Sequence, residues 1–354
     1  IGITVANING AKVGGKRNIW INGGMDVAQY STSSTSTGYC VVDRWVINNN
    51  AGTITKAQLD LSNNDTGPWQ EGIRHALRLT NTSAIGSGAG DYAECYYRPE
   101  AQDLATSGWE YTNANKYITL SYWARASVAQ AYPATIKMGD WDYFFPWNYT
   151  ISQANVWQKF VIKIPGHSSM TINNDNGIGF TLWINAYQGS NFFSGSYTAN
   201  AWNAESGSYM FAGSPTTTWG TTAGATWDIT GFQLEVGPEA TPFETRSYAD
   251  ELLSCQRYFE KMNPKLFVLG RYSHHNGAPY NQYHFKAEKR AVPTCSLDTT
   301  GGTFESSTGY SGNPSFTDTT VDSTTIYGAN SVTAGGILYI HTSSGGLLKF
   351  SAEL

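Results

Sequence analysis

The residues best suited to chemistry lie in one run, Gly139-Asp-Trp-Asp-Tyr-Phe-Phe-Pro-Trp-Asn-Tyr149, where six aromatic rings fall within nine residues. Asp140, Asp142 and Asn148 are interleaved with them. Sugar rings present apolar C–H faces that stack on Trp and Tyr, while Asp and Asn bond the hydroxyls. A concave site needs that mixture of flat apolar surface and a few convergent polar groups. Trp141, Tyr143, Trp147, Asn148, Asp140 and Asp142 are therefore candidate glycan contacts. The competing reading turns Trp141, Tyr143 and Phe145 toward a core and leaves the rest at a subunit contact. A second run, Trp183–Phe193, continues to Tyr197 and Trp202. Tyr187, Phe192 and Trp202 would meet the first run if both loops gather at one edge. Its alternative is an ordered Gly/Ser/Asn loop plugged by aromatics.

Catalysis has less to stand on. Paired carboxylates for glycoside hydrolysis sit about 5–9.5 Å apart. Asp140 and Asp142, on one face of a strand, would lie about 7 Å apart at Cα. Such i, i+2 acids are also common on solvated strands, and Glu71, Glu94 and Glu110 have no motif around them. His274 and His275 would point to opposite faces of a strand and chelate poorly. Tyr272-Ser-His-His-Asn-Gly277 reads better as a hairpin turning at Asn-Gly. There is no GxSxG elbow, P-loop or GxGxxG after a strand. The expectation is a non-enzyme.

The chain that must position these residues has 354 residues, enough for about two domains. Charged residues make up 14% and aromatics another 14%, with 37 glycines. That balance suits strands, tight turns and polar loops. Net charge is −5 without a Lys/Arg run, so nucleic acid is not an expected partner. No apolar run reaches the ~18 residues of a membrane span, and no membrane insertion is expected. Cys40, Cys95, Cys255 and Cys295 are far apart and suggest buried thiols rather than zinc or a disulfide scaffold. Strands are expected at 18–29, 40–47, 74–80, 92–98, 117–126, 136–145, 156–164, 179–186 and 225–236. Short strands at this spacing mean an all-β protein, a large sandwich of jelly-roll type. A smaller C-terminal β-domain follows.

Between the two lies Trp227–Glu260, WDITGFQLEVGPEATPFETRSYADELLSCQRYFE. It reads as a strand, two proline turns, and a helix capped by Ser247 with Asp250 and Glu251 in its first turn. Tyr248, Leu252, Cys255 and Phe259 would share one helix face. Gln-Leu-Glu-Val-Gly, Ala-Thr-Pro-Phe-Glu and Cys-Gln-Arg-Tyr-Phe together resemble the junction of many bacteriophage tail and fibre proteins. There the junction follows a jelly roll of carbohydrate-binding-module type. Asn18–Gln29 is similar to that domain's opening strand, Ile118–Arg125 to a central strand, and Phe350–Leu354 to the family's C-terminus. The resemblance spans about 19–354, and the chain is expected to divide into a 1–17 attachment arm, an 18–246 jelly roll, a 247–262 linking helix and a 263–354 β-domain.

The resemblance implies a virion structural protein, a tail fibre or receptor-binding component assembled in the host cytoplasm. Its partners would be host cell-surface glycans and other virion proteins, and its assembly a homotrimer. No cofactor is expected; jelly-roll binding modules often hold a structural calcium ion, for which Asn22, Asp26 and Asp228 would offer hard oxygen ligands, although no EF-hand spacing exists. A purely architectural virion protein (head fibre, tail adaptor or decoration protein) and a polysaccharide depolymerase are the alternatives. The starting Ile suggests that an N-terminal portion precedes this sequence.

Overall fold

The computed structural model describes residues 17–193, 195–205, 210–263, 280–299, 313–327 and 346–354 in full. It also gives the backbone of short strands at 7–8, 11–12, 267–271, 304–305 and 337–342. Most of the expected arm and the whole 272–277 hairpin lie outside the described residues. The chain divides into two compact units, Ile1–Glu251 and Leu252–Leu354.

In the larger unit, β1 (Asn7–Ile8) and β2 (Ala11–Lys12) form a two-residue ladder. The rest is a jelly-roll sandwich of two antiparallel sheets. One sheet has eight strands: β15 (Asn203–Ala204), β11 (Tyr143–Thr150), β10 (Ala131–Met138), β13 (Phe180–Ile184), β8 (Tyr92–Tyr97), β5 (Trp45–Asn49) and β4 (Gly38–Tyr39) in spatial order, with β14 (Tyr187–Gln188) also on β8. The other runs β12 (Gln158–Pro165), β9 (Tyr117–Ala126), β16 (Thr226–Val236), β7 (His75–Ser83), β6 (Thr53–Asp60) and β3 (Ser33–Ser34). Strands adjacent in sequence repeatedly change sheets, so the two inner faces share one core. Trp20, Trp45, Tyr97, Tyr122, Trp147 and Trp227 fill its centre. Two short helices, α1 (Ala101–Ala105) and α2 (Thr218–Thr221), lie in its connections.

The expected strand at 18–29 is absent. The Asn18 side chain takes the N–H groups of Trp20 and Leu234 and donates to Phe232 O, which uses up ladder positions. Asn22 and Met25 then adopt positive φ, 58° and 60°, which ends any extended run. The expected strand at 136–145 is instead a hairpin, β10 paired with β11 from Ala131↔Thr150 to Lys137↔Phe144. Gly139 opens its turn, and a Cβ there would sit 1.8 Å from Ile178 O. Strand β6, Thr53–Asp60, escaped the sequence pattern altogether.

The junction residues form a buried polar network. Gln233 donates to Glu235 and Thr241, and Glu235 accepts the Thr241 N–H and hydroxyl. Glu244 donates its N–H to Gln233 and accepts from the backbone of Arg17 and Asn18. Arg246 closes the circuit on the carbonyls of Asn18 and Trp20. The motif thus fastens the start of the sandwich to its last strand, and burial makes Gln233 and Glu235 costly to lose.

Helix α3 (Tyr248–Gln256) is capped by Ser247, whose Oγ accepts the Asp250 N–H at 3.2 Å. The expected helix face is not realised. Tyr248 is 60% exposed, and Phe259 belongs to the next strand. In the smaller unit, β17 (Phe259–Met262), β25 (Leu347–Ser351) and β20 (Thr294–Asp298) form one three-stranded sheet. A second joins β18 (Phe267–Arg271), β24 (Ile337–Thr342) and β21 (Phe304–Glu305). The third joins β19 (Tyr280–His284), β23 (Ser323–Tyr327) and β22 (Ser315–Thr317). Its core is thin, Ile326, Leu348 and Phe350 with partly buried neighbours. A buried Lys289–Glu260 pair at 2.8 Å, with the Tyr283 hydroxyl on the same carboxylate, adds a polar centre. Among the described residues, no helix is long and apolar enough to cross a membrane.

Candidate functional site

Strand β8 reads Tyr-Ala-Glu-Cys-Tyr-Tyr, and its alternation decides two faces. Ala93, Cys95 and Tyr97 point into the core, while Tyr92, Glu94 and Tyr96 point outward and are only half-buried. Neighbouring strands bring their own outward residues alongside. Trp183 of β13 pairs with Tyr96, and their ring centroids lie 6.1 Å apart. Asn48 of β5 pairs with Glu94 and donates its amide to Oε1 at 3.2 Å. Gln188 of β14 pairs with Tyr92.

Asn48, Glu94, Tyr96, Trp183 and Gln188, together with Arg98, Phe192, Met210 and Phe211, line a cleft of about 300 Å³ on the outer face of the eight-stranded sheet. One wall comes from the long connection after β14. Asn148 holds it by donating to Ala212 O at 3.0 Å, and Pro146 O accepts the Asn200 N–H at 2.8 Å. Phe193 packs on Phe211 and Phe192 on Tyr92, at centroid distances of 5.8 and 6.0 Å.

The cleft is polar as well as aromatic. The Arg98 guanidinium lies 4.6 Å from the Tyr96 ring centroid, and its Nε donates to Thr181 Oγ1 at 3.2 Å. Burial pushes the Glu94 carboxyl above the usual carboxylate range, and the Asn48 hydrogen bond and the Arg98 charge pull it partly back. Burial likewise raises the Tyr96 phenol. Gln188 is 2% exposed, and its Oε1, sealed from solvent, has no hydrogen-bond donor among the described residues. Rings that leave a gap, next to amides and charges, can stack a flat apolar face and bond its hydroxyls.

The residues singled out in sequence have other places. Trp147, 1% exposed, is a core residue whose Nε1 donates to the Tyr122 hydroxyl at 3.2 Å, so it offers no ring to a ligand. Tyr187, also 1% exposed, points inward beside Ala186 and donates to Gly88 O at 3.4 Å. Both are corrected to core positions, because alternation along β11 and β14 sends them between the sheets. Asn148 is exposed but committed to the wall. Asp140 and Asp142 lie in the turn between β10 and β11, not on a strand face. Asp140 accepts from the Asn173 backbone and amide at 2.8 and 2.7 Å, while Asp142 is exposed.

Trp141, Tyr143 and Trp202 do come together, with His167, as a half-buried cluster at the rim. Trp141 stacks on Tyr143 at 3.9 Å and meets Trp202 edge-on at 5.3 Å. Trp202 is fixed by donating to Pro165 O at 2.8 Å. The oxygens considered for calcium are already engaged. Asn22 Oδ1 accepts the Val27 N–H, Asp26 Oδ1 pairs with His75, and Asp228 accepts from Arg78 and Arg125. Two guanidiniums on one buried carboxylate leave no place for a cation. Asn48, Glu94, Tyr96, Arg98 and Gln188 were missed. Their signal was the alternation over 92–98, aromatic and charged outward against Ala93 and Cys95.

No family model and no curated protein matches the chain. Among solved structures it is similar to the enzymatically active domain of tailspike protein 4 of bacteriophage CBA120. That match has 11% identity and a TM-score of 0.32, and it covers 62% of this chain but 21% of the tailspike. It is also similar to the family 11 carbohydrate-binding module of a cellulosomal cellulase of Clostridium thermocellum, at 12% identity and TM-score 0.28, over 59% of this chain and 96% of the module. A third, TmCBM61 in complex with β-1,4-galactotriose, has 10% identity and TM-score 0.29 over 62% and 98%. Likeness this distant carries nothing about activity, which must be argued from the cleft.

Proposed function

We propose that the larger unit binds a saccharide in the cleft on the outer face of the eight-stranded sheet. The observation that carries this reading is the pairing of Tyr96 with Trp183 beside Asn48, Glu94, Arg98 and Gln188 in one concavity. The chain would be a virion structural protein of tail-fibre or receptor-binding type, a reading supported by the resemblance of its 227–260 junction. Host-surface glycans would be the ligands, and a homotrimer joined to other virion proteins would multiply weak contacts into avidity. A glycan array followed by calorimetry tests the cleft. Binding that disappears in Trp183→Ala is the expected result, and an array without hits counts against it. Light scattering of the full chain tests the trimer by its mass.

A purely architectural role is the second reading, favoured by one observation. The densest aromatic run is spent on the core and on a rim whose rings pack against one another. It predicts that an assembled particle covers the cleft with another chain. A depolymerase would shorten polysaccharide and lose that activity in Asp140→Asn or Asp142→Asn; the Asp140 bonds to Asn173 speak for a turn-holding role instead.

A further inference from the structure

We propose that the larger unit carries a second, weaker saccharide site, in a cleft of about 440 Å³ at the end of the sandwich where β9 begins and β16 finishes. It rests on the saccharide reading of this unit but shares no residue with the first cleft. Val236↔Ile118 is the last rung between the two strands, and beyond it the Gly237 N–H donates to Tyr117 O at 2.9 Å. The Gly237 carbonyl accepts the Thr119 hydroxyl at 2.6 Å. The other wall is the connection from α1 to β9. There Ser107 Oγ accepts the Trp109 N–H at 3.1 Å. Lys116 O accepts from Trp109 Nε1 at 3.4 Å and from the Gly166 N–H at 2.8 Å. Both walls are tied down by these bonds, so a ligand need not order them.

The lining combines what a sugar ring asks for. Tyr117 and Val236, both half-buried, and the buried Trp109 supply apolar surface. Glu110, Asn115 and Lys116 are exposed and supply the polar edge. Lys116 Nζ meets Glu110 Oε1 at 2.7 Å, with both side chains about half in solvent. A pair in that setting is loosely held. It leaves the second carboxylate oxygen to accept from one hydroxyl and the remaining ammonium protons to donate to the next, and the Asn115 amide can do both. Adjacent hydroxyls on a ring with an apolar face match that set, whereas a phosphate would have to take Lys116 from Glu110. One accessible ring where the first cleft offers a pair makes this the weaker site, by about tenfold. Two sites on one chain add to the multiplication of weak contacts.

Saturation-transfer NMR on the full chain, with gluco-, galacto- and manno-configured oligosaccharides, tests this. At the lower concentrations that fill the first cleft, Trp183→Ala removes binding. At millimolar concentration it should leave a residual transfer to at least one of these sugars. Adding Tyr117→Ala to Trp183→Ala should abolish that remainder. Adding Asn115→Ala instead, at an exposed turn outside the core, should cut it severalfold. A remainder that neither change alters overturns the proposal. So does the absence of any remainder in Trp183→Ala, which leaves the first cleft standing alone. Transfer in the parent protein that Trp183→Ala leaves whole and Tyr117→Ala removes supports this site and removes the first cleft. No transfer in the parent removes both.

Discussion

The outer faces of the two sheets in the larger unit are finished in opposite ways. On the six-stranded sheet, Asp228 of β16 stands directly opposite Arg78 of β7 and Arg125 of β9, and accepts from both at 2.7–2.9 Å. Arg125 continues to Asp65 and lies 4.5 Å over the Trp157 ring, whose Nε1 donates to the same carboxylate. Leu61, Ile73 and Trp157 close over the sheet beside it. Each of these four charges has a partner within the protein. On the eight-stranded sheet the Tyr96–Trp183 pair lines an open concavity together with Asn48, Glu94 and Arg98. A face whose polar groups are all satisfied is structural. A concavity lined by half-buried aromatic and polar side chains leaves room for a ligand to add contacts.

The sharpest way to break this contrast is on the sealed side. Asp228 is 1% exposed, so Asp228→Ala strands the Arg78 guanidinium, leaves Arg125 with Asp65 alone and should cost about 3 kcal/mol. For a unit of this size that is a fall of roughly 10 °C in Tm, read by calorimetry. Saccharide affinity of the folded protein should hold. On the open side the pattern reverses. Trp183→Ala should lower affinity by about 1.4–2.7 kcal/mol, roughly tenfold to a hundredfold, with a change of less than ~1 kcal/mol in stability. If both variants moved stability and neither moved binding, the faces would not differ in kind.

The rim sits between these extremes. Trp141 has its ring against Tyr143 and its edge toward Trp202, so Trp141→Ala should cost about 1 kcal/mol of stability. Its effect on saccharide affinity should stay under about twofold. A larger loss of affinity would move the site to the rim and restore the reading that the 139–149 run suggests.

That run also shows why the fold was more legible than the site. Strand β9 is fixed locally, since Ile118, Leu120, Tyr122 and Ala124 alternate and all four are buried. The hydrophobic effect writes itself into every second residue, and one sequence suffices to read it. Density of aromatics in 141–149 was a weaker guide, because strand geometry sends Phe145, Trp147 and Tyr149 into the core whatever their suitability for sugars. The cleft instead takes Asn48 from β5, Tyr96 from β8, Trp183 from β13 and Gln188 from β14. No two of these strands had a pairing visible in sequence, so the convergence appears only once the sheet order is known. Segment 18–29 failed for the converse reason. Its apolar residues suit a strand, but Asn18 and Asn22 spend their amides on the backbone.

The smallest effect separates the faces by pH. Burial raises the Glu94 carboxyl above its unfolded value, so its ionised form opposes folding. The penalty is complete above the folded pKa, shrinks as pH falls through it, and vanishes below the unfolded value near ~4.3. Glu94→Gln should therefore stabilise the protein slightly at neutral pH, by at most ~0.5 kcal/mol or about 2 °C, and by nothing near pH 4. On the sealed face, Asp65 runs the other way. Its carboxyl is held low by the Ser62 and Trp157 hydrogen bonds and the Arg125 charge, against the opposing push of burial. It stabilises above its unfolded pKa and loses that contribution as pH falls through the lower folded one. Melting curves of Glu94→Gln and Asp65→Asn against the parent protein from pH 3 to 8 should thus have opposite signs at neutrality, both converging in acid. The same sign for both would mean that the cleft carboxylate is as fully satisfied as its counterpart, and the case for an incomplete face would fall with it.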